Sequence, residues 1–391
     1  MLLAYITSGF GFGSGGMVQF LVPFRLQELG APLEMIGLIV GAGSLMGMFV
    51  SIPLGAFADR IGARRAFFVG TILTGMTATA LALAPNYWVM AAFQMARGAV
   101  GSLPWIASQS YITTIGEPSE RAGIAGRFSF SVNLSSFLSP LLIGVIAQIV
   151  GYQRAFWAVV LMAAIYTVMG LALPEPQHRA AGQRSGGEAA GFTAALTLLR
   201  TSGVQAVVIM TFVRIWISQG WSTYFPLFLA SRGFEPAIIG TVVSGNNLVA
   251  TGVGLFSPKV SRWLGPPRGI AVVLALGALG VALSPHLVEL PWVYLPALFM
   301  GTGTGLSLPL MMEILAGEAA PEQRGIAMGI RTAANAGAAA LSPVTAGMLL
   351  TSVGIEWGFL GNALVGWALL GLALGLQFRA YSRRRGRGST A

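Results

Sequence analysis

The residues in this chain that could do chemistry are few, and they sit in apolar company. Arg97 lies inside a long apolar run, and Gln94, Gly101, Trp105 and Ser108 recur around it at three- to four-residue intervals, the spacing of one helical face. A second stripe carries Thr211, Arg214, Ser218, Trp221 and Phe225, and a third carries Arg331, Asn335 and Ser342. Gln19, Asn133, Asn246 and Asn247 add amides to further apolar runs, and Glu313 is the one carboxylate placed inside such a run. These groups bind and orient charge. No nucleophile–base pair, phosphate loop or metal-ligand spacing accompanies them, the chain has no cysteine, and His178 and His286 stand in connections. An enzyme, a metal site and a cofactor are therefore not expected. Gly301-Thr-Gly303-Thr-Gly305 lies in an apolar run, where it reads as packing or a hinge.

An arginine in hydrocarbon costs at least about 2.5 kcal/mol, so Arg97 must face the protein interior or water. Two readings stand: an arginine bonded to backbone carbonyls, or a functional charge. Glu313 and Arg331 lie at similar distances from the link between their runs, and also allow two readings. They form a structural ion pair, or Glu313 carries a proton with Arg331 tuning it. Arg97, Arg214 and Arg331 against one Glu313 leave the expected interior positive. With Trp105, Trp216 and Trp221 this suits an amphipathic or anionic organic molecule better than a cation.

The elements that must position these residues follow from composition. Of 391 residues 55% are hydrophobic and only 9% charged, with a mean hydropathy of +0.74. A soluble domain carries about 25% charged residues, so this is an integral membrane protein, all α-helical. Twelve spans are expected. The first six are Leu2–Phe24, Met35–Phe57, Ala66–Ala84, Trp88–Ile112, Gly123–Ile149 and Phe156–Leu173. The others are Val204–Leu229, Ile238–Phe256, Gly269–Leu283, Trp292–Leu315, Gly325–Val353 and Trp357–Gln377. Met1-Leu-Leu-Ala-Tyr reads as the start of the first span, not a removed signal peptide. The net charge of +10 does not indicate a nucleic-acid partner, because the basic residues concentrate in connections on one side and in the tail Arg383-Arg384-Arg385-Gly-Arg387. That asymmetry places those connections, and both termini, in the cytoplasm.

The sequence also repeats. At an offset of 203 residues Pro23 meets Pro226, Gly30 meets Gly233, Gly62 meets Gly265, and Leu138-Ser139-Pro140 meets Leu341-Ser342-Pro343. Val150-Gly151 meets Val353-Gly354. Two parallel six-helix repeats are expected, with bundles at 1–174 and 204–378, a cytoplasmic linker at 175–203 and a basic tail at 379–391. A duplication of this kind implies a substrate site between the halves and alternating access. The substrate cavity expected there holds Gln19, Gln94, Arg97, Gly101, Trp105, Asn133, Arg214, Ser218, Trp221, Asn246 and Asn335.

One hydrophilic stretch organises the rest: Gly55-Ala-Phe-Ala-Asp59-Arg60-Ile-Gly62-Ala-Arg64-Arg65, holding the only aspartate. Between two apolar runs, it reads as a surface loop. It resembles the loop 2–3 signature of the major facilitator superfamily, with Gly55, Ala58, Asp59, Arg60, Gly62 and Arg64 matching. Arg97-Gly98-Ala-Val-Gly101 resembles the helix 4 motif of proton-coupled members. Ser135 to Gly144 resembles the helix 5 antiporter signature weakly, with serine at both leading glycines. In the second half Arg262 stands where Asp59 stands, and Pro258 where Gly55 stands.

The resemblance implies a twelve-helix transporter fold. It implies a conformational latch of Gly55, Asp59, Arg60, Gly62, Arg64 and Arg65, with Asp59 closing on the helix that starts near Arg324-Gly325. It also implies proton coupling through Arg97, to which the reading of the charged residues adds Glu313 and Arg331. The expected function is secondary active transport of a small organic solute across the cytoplasmic (inner) membrane, as proton-coupled export. Uptake or facilitated passage of an organic anion or siderophore is the alternative, as is lipid or lysolipid transport. The expected partners are that solute, protons and membrane lipid, with the chain a monomer.

Overall fold

The computed structural model describes residues 2–114, 121–172, 198–199, 201–318 and 324–388, and the side chains of Asp59 and several helix-end residues fall outside that description. The described residues form α1 Leu2–Glu28, α2 Leu33–Ile61, α3 Ala63–Leu83, α4 Tyr87–Thr114, α5 Arg121–Val150 and α6 Tyr152–Leu171. The second series is α7 Ser202–Ser231, α8 Pro236–Gly254, α9 Ser257–Leu264, α10 Pro266–Leu283, α11 Tyr294–Glu318, α12 Arg324–Val353 and α13 Ile355–Gly388. Most of the linker expected at 175–203, His178 included, lies outside the described residues.

Ten of these helices are long and apolar enough to cross a membrane. Among the long helices α1 and α4 fall short of that standard. They carry Ser8, Ser14 and Gln19, and Gln94, Arg97, Ser102 and Ser108, so their deficit in hydropathy is the cost of their polar faces. Elsewhere large apolar side chains such as Phe49, Met76 and Leu161 stand exposed on the helix flanks, as lipid-facing surfaces require.

The hydrophilic stretch at 55–65 is not a loop. α2 runs to Ile61 and α3 restarts at Ala63, with Gly62 alone between them at φ 89°. Gly62 N–H donates to Ala58 O (2.9 Å) and Gly62 O accepts from Ala66 N (2.9 Å), so one residue ends one helix and begins the next. Only glycine enters that conformation without strain, which lets the motif's charges stand on helix ends instead of in a flexible segment. Arg64 Nη2 donates to Leu171 O (2.7 Å) at the carboxyl end of α6, where a cation suits the helix dipole. Beneath, Ala58, Ala66, Phe67, Leu103, Tyr111, Ile124 and Tyr166 form a buried cluster.

Among the described residues the positive-φ glycines are Gly30, Gly62, Gly151, Gly233, Gly265 and Gly354, three pairs each 203 residues apart. α5 and α12 span the same register at that offset, Arg121–Val150 against Arg324–Val353. One element breaks the symmetry. α2 is continuous, whereas its counterpart is interrupted between Gly254 and Ser257 and resumes as the short α9. Pro258 stands at the position of Gly55, in the first turn of α9, where its missing N–H is tolerated.

The chain packs as two compact units, Met1–Gln183 with Pro226–Asn247, and Arg184–Phe225 with Leu248–Ala391. These units do not coincide with the sequence repeats. The carboxyl end of α7 and most of α8 join the first unit, where α8 crosses α5 at Gly144 and Gly240. A Cβ on Gly240 would overlap Pro140 O, and one on Gly144 would come within 2.6 Å of Pro236 O. Gln148 Nε2 bonds Glu235 Oε2 (2.8 Å) and Asn247 Nδ2 bonds Ser136 O (2.7 Å) along the same crossing.

Candidate functional site

A cavity of about 440 Å³ opens within the first unit, walled by α1, α2, α3 and α4. Its lining is largely apolar, set with uncharged polar groups and a single charge. Ser8, Ser14, Gln19, Ser44, Thr74, Thr77, Ser102 and Ser108 supply hydroxyls and an amide, and Arg97 supplies the one charge. No Asp or Glu is among the lining residues.

Backbone proximity makes the cavity possible. α2 and α4 approach so closely that a Cβ on Gly98 would overlap Gly43 O, and one on Gly47 would come within 3.0 Å of Gly98 O. Around that crossing Gly15 and Gly101 face open space, with no atom within 4 Å of where a Cβ would stand, so their missing side chains are cavity volume. Arg97 leans across from α4 and donates Nη2 to Gly15 O on α1 at 3.4 Å, a long bond to a neutral acceptor. Its other donors have no acceptor among the described residues. Trp105, eight residues and a little over two turns further along α4, packs against Phe12 (ring centroids 5.4 Å apart) and Phe128 (5.8 Å). Trp105 remains 37% exposed, so its face is available to a ligand. The arrangement can hold a molecule with an aromatic or apolar body and an anionic end.

The expected cavity residues divide. Gln19, Arg97, Gly101 and Trp105 line the space together. Gln94 is buried behind the wall against Gly43, with Oε1 unpartnered. Asn246, in the same unit, bonds Asn247 Oδ1 through Nδ2 (3.3 Å), and Asn133 is exposed on α5; neither lines the cavity. Trp221 is a correction. It is 1% exposed and donates Nε1 to Ser284 Oγ (2.9 Å) while stacking on Phe225, so it belongs to the packing of α7 against α10. Ser218 and Asn335 are half-buried in the second unit. The stripe on α4 identified one wall. The hydroxyls of α1, α2 and α3 were missed, although Ser8, Gly11, Gly15 and Gln19 recur at helical spacing and carried the signal.

Glu313 is the second correction. It is exposed near the end of α11 and accepts from Ser261 Oγ on α9 (2.8 Å), beside a small recess lined by Pro258, Arg262 and Pro309. It makes no ion pair with Arg331; the salt bridge found among the described residues joins Arg25 and Glu28 at 3.1 Å. In this structure Glu313 therefore stands apart from Arg331, and its polar neighbour is Ser261. Of the expected latch, Arg60 and Arg65 are exposed, Gly55 is half-buried, and the side chains of Asp59 and Arg324 lie outside the described residues.

The profile of the Major Facilitator Superfamily matches residues 1–319. The chain belongs to the major facilitator superfamily. It is 22% identical over 237 residues to the quinolone resistance protein NorA of Staphylococcus aureus, covering 60% of this chain and 59% of NorA. It is 27% identical over 158 residues to the tetracenomycin C resistance and export protein of Streptomyces glaucescens, covering 40% and 29% of the two chains. It is 26% identical over 160 residues to a Na(+), Li(+), K(+)/H(+) antiporter of Planococcus maritimus, covering 39% and 36%. The matches thus span less than two thirds of these relatives' lengths. Among solved structures the nucleoside transporter NupG superposes with a TM-score of 0.81 at 16% identity, covering 96% of this chain and 98% of NupG. A POT family transporter in complex with a thioalcohol-conjugated peptide gives 0.76 at 17% identity, covering 97% and 96%. These likenesses establish the twelve-helix transporter fold. This major facilitator protein is accordingly built as a multi-pass, all-helical membrane protein, with α9 as a short helix beside the twelve long ones among the described residues.

Proposed function

We propose that this transporter exports a small amphipathic organic anion across the cytoplasmic membrane by alternating access, coupled to proton entry, with both termini in the cytoplasm. The observation that carries the reading is the cavity of about 440 Å³ in which Arg97 stands, with no carboxylate among the lining residues, beside the aromatic rings of Phe12 and Trp105. A guanidinium left with one neutral acceptor is costly in a low dielectric, and an anionic ligand offsets that cost. Export and proton coupling take their support from the names of the relatives, an antibiotic resistance protein, an export protein and a cation/proton antiporter, and from the arginine on α4. The latch at Asp59 belongs to the same proposal.

Because no acid lines the cavity and Glu313 is exposed, the titrating group in the cycle is placed outside the cavity wall. Asp59 and the ligand's own acid group are the candidates. The test uses proteoliposomes and carboxyfluorescein, an aromatic anion, assayed after vesicle lysis. An acid lumen drives uptake by antiport against the passive distribution of a weak acid, which favours the alkaline side. Accumulation in acid-loaded vesicles is the expected result. Accumulation only in alkaline-loaded vesicles, or simple equilibration, contradicts proton-coupled export and indicates uptake or facilitated passage.

A further inference from the structure

We infer that α9 is an interfacial helix whose outward face binds the headgroups of anionic phospholipids. Its place in the chain fixes its depth. α8 and α10 are candidate spans of 19 and 18 residues. At 1.5 Å per residue they are about 28 and 27 Å long, just enough to cross a hydrocarbon core of about 30 Å. α9 joins the carboxyl end of one to the amino end of the other, with Leu255 and Phe256 before it and Gly265 after it. It therefore stands at headgroup level.

One side of α9 is held by the second unit. Val260 packs on α10, where its Cγ1 lies 3.1 Å from the place of a Cβ on Gly269. Ser261 Oγ donates to Glu313 Oε1 on α11 (2.8 Å). Helical spacing turns Lys259, Arg262 and Trp263 away from that side, and all three are exposed, Trp263 at 82%. Leu255, at 81%, and Phe256 extend the apolar surface, and Lys259 Nζ stands 5.3 Å from the centre of the Phe256 ring. Glu313 lines the recess beside Arg262 but makes no ion pair with it, so the guanidinium stays available. Arg268, exposed in the first turn of α10, adds a third cation. An indole and a leucine are poorly placed in water, and the cations beside them are poorly placed in hydrocarbon. At headgroup level the rings meet the upper acyl chains while the cations meet phosphate. The first half of the chain differs at these positions. There Ala56, Asp59 and Arg60 stand 203 residues before Lys259, Arg262 and Trp263, on a helix that runs on from its span. The second copy has exchanged an acid for a cation and placed an aromatic ring beside it. That charge selects anionic over zwitterionic lipid.

This face is separate from the cavity at Arg97, so each can fail without the other. The test places the full chain and its Trp263→Phe variant in phosphatidylcholine nanodiscs. A varied fraction of the lipid carries brominated acyl chains, on phosphatidylglycerol in one series and on phosphatidylcholine in the other. The difference in fluorescence between the two proteins isolates Trp263 from the rest of the nine tryptophans. The expected result is quenching of Trp263 at a mole fraction of brominated phosphatidylglycerol at least about fivefold below that needed of brominated phosphatidylcholine. In the background of Lys259→Gln with Arg262→Gln this preference falls to near one. Lys259→Gln alone halves it or more and serves if the double variant does not fold. A Trp263 signal quenched by neither lipid means that water or a second copy covers the face, and overturns the inference. Equal quenching by both lipids, or a preference that survives loss of the two cations, overturns it as well.

Discussion

Arg97→Gln separates a binding charge from a structural one by the sign of its effects. The arginine has a single protein bond, Nη2 to Gly15 O at 3.4 Å, and no carboxylate among its neighbours in the cavity. If it binds the anionic end of a ligand, the variant loses charge-assisted hydrogen bonds worth about 1.5–3 kcal/mol. At 1.4 kcal/mol per tenfold, affinity for carboxyfluorescein then falls by roughly 10- to 150-fold. Stability of the unliganded protein changes by less than about 1 kcal/mol, because one long bond is lost and an unpaired charge is removed with it. The assay pairs equilibrium binding in nanodiscs with melting of the same preparation. A structural arginine gives the reverse, an affinity unchanged and a stability lowered by about 1–3 kcal/mol, and that result refutes the reasoning.

Two glycines three residues apart on α4 give opposite outcomes. Gly98→Ala drives a methyl into Gly43 O and lowers stability by about 1–3 kcal/mol on thermal melting, whereas Gly101→Ala meets open space and is neutral or stabilising by up to about 1 kcal/mol. Gly101→Phe keeps the fold, fills the cavity and abolishes carboxyfluorescein binding. Trp221→Phe loses the bond to Ser284 Oγ and costs about 0.5–2 kcal/mol of stability, with ligand affinity unchanged, because the ring packs and does not line the cavity. Glu313→Gln leaves the pH dependence of transport as in the wild type, since that carboxylate is exposed; a shifted pH profile in proteoliposomes contradicts its placement. Asp59→Asn, at wild-type abundance in the membrane, slows transport several-fold; undiminished turnover removes the latch.

Much of this architecture was legible because it rests on residues with backbone consequences. The offset of 203 residues that aligns prolines and glycines in the sequence also pairs Gly30, Gly62 and Gly151 with Gly233, Gly265 and Gly354, where the chain must turn through positive φ. The stripe around Arg97 was legible for a different reason: charge and amide on one helical face cannot meet lipid. What such a stripe does not say is what it meets instead. Trp105 and Trp221 occupy similar stripes, yet Trp105 faces a cavity and Trp221 a serine of the neighbouring helix. That difference depends on which helices cross and how closely, and Gly43 against Gly98 sets it in one case. The same limit applied to Glu313, whose depth could be counted from the sequence but whose partner, Ser261, sits on α9, a short helix with no separate counterpart in the first half. The stretch at 55–65 misled in the other direction. Its polarity suggested a loop, but one glycine sufficed to turn the chain, so the charges ride on helix ends.

The central claim is that the cavity of the first unit selects an aromatic or apolar body bearing negative charge. The most direct measurement is equilibrium binding, in nanodiscs, of three ligands of one shape: naphthoate, naphthamide and naphthylmethylammonium. The account predicts that naphthoate binds at least about tenfold more tightly than naphthamide, with naphthylmethylammonium weakest, and that Arg97→Gln erases the difference between the first two. Equal affinity for all three, or preference for the ammonium, contradicts it.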